Sequence, residues 1–315
     1  MGTRQWKRVA QVIIGKAGTG LLVTDLRIQF EIMKTVDATP NTAVVRMYNL
    51  HPDHEAKIKN EFDEAQLFAG YVGALQLLFR GNLTHVYRYR DGNDYITELE
   101  IGDGDKDFRQ AVMNETLAAG TTVQQLVERA VGSFQSVGGT TKGAVQIAGT
   151  GARTRGKVLS GNTRDVLHNA AREANANWSI QDGQLTMVGV NDVLPHQAIV
   201  LRADTGLLGA PEISDKGIVA KCLLNPQLRV NGAVMLDNNG IKAKRQKAAA
   251  KANSAAPAQE PTQPVRLDPD GVYKVLQVTH KGDTRGQDWT SEVECIGLDQ
   301  PIPASRSGMS GGLGG

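Results

Sequence analysis

Cysteine is scarce in this chain: Cys222 and Cys295 are the only two in 315 residues, too few for the disulfide framework of a small secreted scaffold. Both lie in apolar segments that read as strands, so the expectation is two buried free thiols, with a bridge left open at this level. Long apolar runs are missing as well. The basic start at Arg4, Lys7 and Arg8 leads only into Val9 to Ile14, interrupted by Gln11, which is short of a signal-peptide core. No stretch approaches the roughly 20 apolar residues of a membrane span, so a soluble chain without a membrane segment is predicted. An excess of one charge is absent too. The 35 Lys and Arg against 33 Asp and Glu leave +2, too even to grip a duplex through its phosphates.

Catalytic and ligand-binding signatures are equally sparse. Ser310, in Gly308-Met309-Ser310-Gly311-Gly312, lies in a glycine tail that could not hold a catalytic geometry, and no His-Glu-x-x-His pair or Cys-His arrangement occurs, so no catalytic residue, cofactor or metal is assigned. Gly15-Lys16-Ala17-Gly18-Thr19-Gly20 has the lysine at the wrong end for a phosphate loop and is followed by a strand pattern, which predicts a hairpin turn. Asp103-Gly104-Asp105-Lys106-Asp107 opens like a calcium loop, but Phe108 and Asn114 stand where a glycine and a bidentate Glu belong, and a solvated turn is expected. His51 and His54 lack a third ligand at a suitable spacing and read as a surface pair.

What is present is period-two alternation. Leu26, Ile28, Phe30 and Ile32 alternate with Arg27, Gln29 and Glu31, predicting one strand over 22–32. Further strands are predicted over 42–48, 74–79, 83–89 and 95–101, with turns at Gly81-Asn82 and Asp91-Gly92-Asn93. A short helix enters at Pro52. Composition then changes. Thr121 and Gln124 suggest a capping box before a helix with Val123, Leu126, Val127, Ala130 and Val131 on one face. A second helix begins near Asn162 or Thr163 with Val166, Leu167, Ala170, Ala171 and Ala174 as its stripe. A Gly- and Thr-rich stretch over 138–156 separates them, and Asp182-Gly183 marks a hairpin from Trp178 to Met187. Strands resume over 199–202, 219–224, 234–236, 273–280 and 290–296.

The segment 238–264 is rich in Ala, Lys, Gln and Pro and nearly free of large apolar residues, so it is expected to be a flexible loop. Its basic run, Lys242, Lys244, Arg245, Lys247 and Lys251, reads first as a solvated loop and second as an arm touching DNA or a partner. The organisation predicted is a β module over 1–103, a small α+β module with two helices over 104–190, a second β module over 191–300 and a Gly/Ser tail over 301–315.

Several phrases resemble the central hub protein of phage baseplates, the tube-like component of contractile tails such as those of Mu-like phages. They run in order: Val44-Val45-Arg46-Met47-Tyr48-Asn49-Leu50 leading to Pro52; Gly102 to Asp105; Leu159-Ser160-Gly161-Asn162-Thr163-Arg164-Asp165-Val166-Leu167; Trp178 to Gly183; Thr205 to Pro211; Leu223-Leu224-Asn225-Pro226; Tyr273-Lys274-Val275; and His280 to Trp289. The resemblance implies a mainly β fold of two tail-tube-like β-barrel domains separated by a small helix-containing domain. It also implies a non-enzymatic homotrimer in the virion tail baseplate, assembled in the host cytoplasm. Its partners would be the central spike protein, the tail tube or a distal tube-initiator protein, and the tape-measure protein, with DNA passing transiently through the lumen. Three chains with two barrels each would present six similar units, matching a threefold spike to a sixfold tube. The alternatives are a cell-wall-degrading or glycan-binding tail protein, and the hub of a contractile secretion or toxin-delivery machine. The 238–264 insertion matches nothing in the family pattern.

Overall fold

The computed structural model describes residues 7–16, 19–148, 151–214, 217–237, 242–243 and 271–298. The N-terminal part contains β1 (Arg8–Lys16), β2 (Thr19–Val23), β3 (Ile28–Thr35), β4 (Thr42–Tyr48), α1 (Pro52–Glu61), β5 (Glu64–Tyr71), β6 (Ala74–Asp91) and β7 (Asp94–Gly102). The middle part contains α2 (Asp105–Gln110), β8 (Val112–Leu117), α3 (Val123–Val137), β9 (Thr141–Gln146), β10 (Lys157–Asn162), α4 (Thr163–Glu173), β11 (Ala176–Gln181) and β12 (Gln184–Gly189). The C-terminal part contains β13 (Ile199–Leu201), β14 (Glu212–Ser214), β15 (Gly217–Leu223), β16 (Ala233–Leu236), β17 (Lys242–Ala243), β18 (Val272–Asp283) and β19 (Trp289–Gly297). The fold is mainly β with a small helical module between two β modules.

The two β modules share one 14-stranded sheet, joined where β18 pairs antiparallel with β3 from Gln277↔Thr35 to Asp283↔Gln29. From that seam the sheet runs one way through β4, β7, β6, β5, β1 and β2, and the other way through β19, β15, β14 and β17. Packing follows the same weld. Trp289 and Leu224, from the C-terminal module, are buried in the apolar cluster of Ile28, Phe30, Val45, Leu67 and Phe79, and Trp289 meets Phe30 edge-to-face at 5.6 Å. In return Val36 joins the C-terminal cluster of Ile218, Val275, Val278 and Val293. The third cluster belongs to the middle module, with Leu126, Val127, Ala130 and Phe134 of α3, Leu167 and Ala170 of α4, and Trp178.

Several sequence expectations need revision. The single strand over 22–32 is two strands, because Asp25 adopts a left-handed φ of 62° between β2 and β3. Gly81-Asn82 is not a turn: β6 runs unbroken through it for 18 residues. Gly81 is needed there for close approach, since a Cβ would lie 2.6 Å from the Gly102 carbonyl oxygen, and a bulge at Leu83/His85 follows. Periodicity predicts none of β5, β8, β9, β10, β14 and α2; β5 is buried on both faces toward its end, which erases the alternation. The capping box of α3 falls one residue later, on Thr122 and Gln125. The hairpin expected at Gly15 to Gly20 is present, with Gly15↔Gly20 and Lys16↔Thr19 paired. Cys222 and Cys295 are buried free thiols on adjacent strands, four residues out of register.

Truncating Trp289 should therefore weaken a module distant from it in sequence. Trp289→Ala is expected to cost about 3–5 kcal/mol, measured by urea unfolding, with exchange protection lost in β3 and β4 as well as in β19.

Candidate functional site

Cross-strand partners share a face, so the registers define one broad surface. A row runs from Leu223 through Thr290, Lys281, Glu31, Val44 and Glu100 to His85, crossing β15, β19, β18, β3, β4, β7 and β6. Beside it lie Lys221, Glu292, Thr279, Met33 and Thr42 on one side, and Gln29, Arg46, Glu98 and Tyr87 on the other. Every one of these side chains is half-buried or exposed, while their strand neighbours Ile32, Val45, Leu99, Val278 and Val293 are buried beneath. The face is thus uncovered across seven strands. Five carboxylates stand on it or at its margin, on Glu31, Glu98, Glu100, Glu292 and Glu294, against the cations Lys221, Lys281 and Arg46.

Ion pairs knit the strands together across this face. Lys281 meets Glu31 at 2.6 Å over the β18–β3 seam, Arg46 meets Glu98 at 2.5 Å, and His85 meets Glu100 at 3.0 Å. Hydrogen bonding to Glu31 raises the Lys281 ammonium pKa above its ordinary value, helped by Glu292. Exposed pairs of this kind add little stability; here they fix register and surface charge. At the far end of the face, Tyr87 and Tyr89 of β6 and Tyr95 of β7 are exposed on one hairpin, with Arg88 stacked 4.6 Å from the Tyr95 ring centroid.

Beneath the seam lies a polar junction where the three modules meet. Asp103 and Asp107, expected in a solvated turn, are both fully buried. The reason is that each carboxylate has backbone donors to satisfy. Asp103 accepts N–H groups from Asp182 at 2.5 Å and Gly183 at 2.8 Å, at the turn between β11 and β12. Asp107, on α2, accepts from Gly138 N–H at 2.7 Å and from the Thr140 hydroxyl, closing the end of α3. Gly138 has to be glycine, since a Cβ would stand 2.6 Å from the Asp107 carboxylate. Lys34, buried on the inner face of β3, reaches Asp182 at 2.7 Å. Asn41 donates to the Ile180 carbonyl at 2.8 Å and Gln181 donates to the Thr35 carbonyl at 2.9 Å. His280 of β18 is buried close by, 2.7 Å from the Ser291 hydroxyl.

The other sequence-singled residues scatter. His51 caps α1, accepting from the Asp53 N–H at 3.3 Å, and stacks edge-on with His54 at the surface. Lys242 falls in β17, whose neighbour is β14, so the 238–264 segment contains a short strand. Lys244, Arg245, Lys247 and Lys251 lie outside the described residues, as does the tail over 301–315. Among the described residues no group of three or more His, Cys, Asp or Glu is gathered to hold a metal, and no helix is long and apolar enough to cross a membrane.

The fold is shared with solved phage tail proteins and a secretion-system component. The chain is similar to the 43 kDa tail protein of prophage MuSo2 from Shewanella oneidensis, with a TM-score of 0.57 at 9% identity over 92% of this chain and 99% of that one. It is similar to a tail protein from Neisseria meningitidis MC58, with a TM-score of 0.60 at 7% identity over 96% and 99%. A third likeness is to the E. coli c3393 protein, a type VI secretion system component described as structurally similar to the T4 tail proteins gp27 and gp5; the TM-score is 0.54 at 12% identity over 94% and 80%. No family model and no curated protein matches the sequence. The hub resemblance read from the sequence therefore holds at the level of the fold.

Burial of His280 beside Lys34 lowers its pKa to about 3. The folded imidazole stays neutral where the unfolded one, titrating near 6.5, takes a proton, so stability falls as pH drops below 6.5. Between pH 6.5 and 5, wild type should lose about 2 kcal/mol relative to His280→Gln, measured by urea unfolding at each pH.

Proposed function

We propose that this protein is the baseplate hub of a phage tail: a homotrimeric adaptor that joins a threefold spike to a sixfold tube, nucleates tube assembly and forms part of the DNA conduit. The observation that carries the reading is the uncovered seven-strand face. It draws on both β modules, so one chain offers two adjoining segments of a curved wall. The modules proposed remain 1–103, 104–190 and 191–300, with the weld at β3–β18 holding the outer two in fixed relation.

The charge of the face suits passage rather than capture. Phosphate binding requires clustered cations that release counterions, whereas here carboxylates outnumber cations and two of the three cations, Lys281 and Arg46, are drawn into pairs. A conduit lined in this way lets DNA slide. The proposed role needs no catalysis of its own: it asks only that hydrogen bonds and ion pairs hold the modules in place. The likeness to a secretion-system component supports the alternative of a secretion hub with the same architecture and a different cargo, and the two prophage and tail likenesses favour the tail.

Purified protein should scatter light as three copies at micromolar concentration and cap tube ends in electron micrographs. The doubly reversed variant Glu100→Lys/Glu292→Lys should still assemble but deliver DNA at least about tenfold less efficiently, because added cations hold phosphate. A strictly monomeric protein that never joins tails, or hydrolysis of cell-wall polymer by the purified chain, would count against the reading.

A further inference from the structure

One hairpin of the middle module is gripped at both ends by opposite charges that belong to other elements. At the β11–β12 turn the Asp103 carboxylate takes the N–H groups of Asp182 and Gly183. At the base of the hairpin the Lys274 ammonium, from β18, donates to the carbonyl oxygens of Gly189 at 2.8 Å and Val190 at 3.0 Å. Both grips are out of solvent, Asp103 at 0% and Lys274 at 1% exposure. The charges that face them are Asp182, Lys34 and, against Gly183, Arg80 of β6 at the turn, with His280 of β18 beyond Lys34, and Asp192 at the base.

A buried ion loses its hydration, and hydrogen bonds restore only part of it. Both grips accordingly sit nearer neutrality than their free counterparts. Burial, then repulsion by Asp182, pushes Asp103 up to about 7 against the two N–H donors and Lys34. Burial pulls Lys274 down to about 8, opposed by Asp192. Losing the charge does not end the grip at the base, because a neutral amine keeps two N–H donors for its two carbonyls.

We propose that β11–β12 is a proton-sensitive clasp, holding the middle module to the β modules most weakly when Asp103 and Lys274 are both ionised and more firmly when either is neutral. The direction follows from linkage. Asp103, raised, contributes stability at low pH that is lost as pH rises through 7. Lys274, lowered, disfavours docking below 8, and that cost is relieved between 8 and 10.5. The weakest docking then falls near neutral pH, and the clasp is poised to open there as a unit.

Amide hydrogen exchange of the full chain, corrected for intrinsic rates, reads the opening of β11–β12 directly. Opening should be about sixfold less frequent at pH 6 than at pH 7.5, and about sixfold less frequent at pH 9 than at pH 7.5. None of the other strongly shifted groups, His280, Cys222, Cys295 and Tyr71, lies on this hairpin. Asp103→Asn should remove the acid limb alone, and Lys274→Gln, which keeps a donor, the alkaline limb alone. If a variant does not fold, the wild-type profile decides by itself. Opening that is constant or rarest near pH 7.5, or limbs that survive the substitutions, would overturn the clasp.

Discussion

The pairing of β3 with β18 is the constraint on which the rest of the molecule depends. It brings residues 29–35 against 277–283, so the ends of a long chain close on each other with the middle module folded outside the sheet. Such a contact carries a large loop-closure cost, offset by burial on both sides: Trp289 packs against Phe30 and Val36 sits in the opposite core. Because side chains alternate strictly, the seam also aligns the outer faces of the two modules. A slip of β18 by one residue would turn Lys281 inward, away from Glu31, and bring buried Val278 to the surface.

Much of this was legible in the sequence. The strands at Thr42–Tyr48 and Asp94–Gly102, the stripes of α3 and α4 and the Asp182-Gly183 turn follow from periodicity and turn chemistry, which act locally. The junction was harder to read. Asp103 and Asp107 look like any polar turn, because their burial is set by backbone N–H groups about 80 and 30 residues away. One signal was available: Lys34 continues the buried phase of Ile28, Phe30 and Ile32, and a cation on a core face calls for a buried partner. The uncovered face could not be read from alternation alone, since the pattern gives each strand an outer side without saying which strands adjoin.

The middle module is held differently from the sheet it docks on. Its own helices and strands enclose an apolar cluster, but its attachment relies on named polar bonds at Asp103, Lys34, Asn41, Gln181 and Lys274. Polar attachments of this kind specify orientation more than they stabilise. The molecule is thus a welded sheet carrying a polar-bonded appendage.

We propose that the face running from Lys221 and Glu292 through Lys281 and Glu31 to Glu98 and Tyr87 is the wall of a channel. A cryo-electron microscopy map of the assembled particle, at a resolution that places side chains, tests it most directly. This face should turn toward the central axis and line up with its copies around the ring. Finding it buried under another protein, or facing outward from the axis, would contradict it.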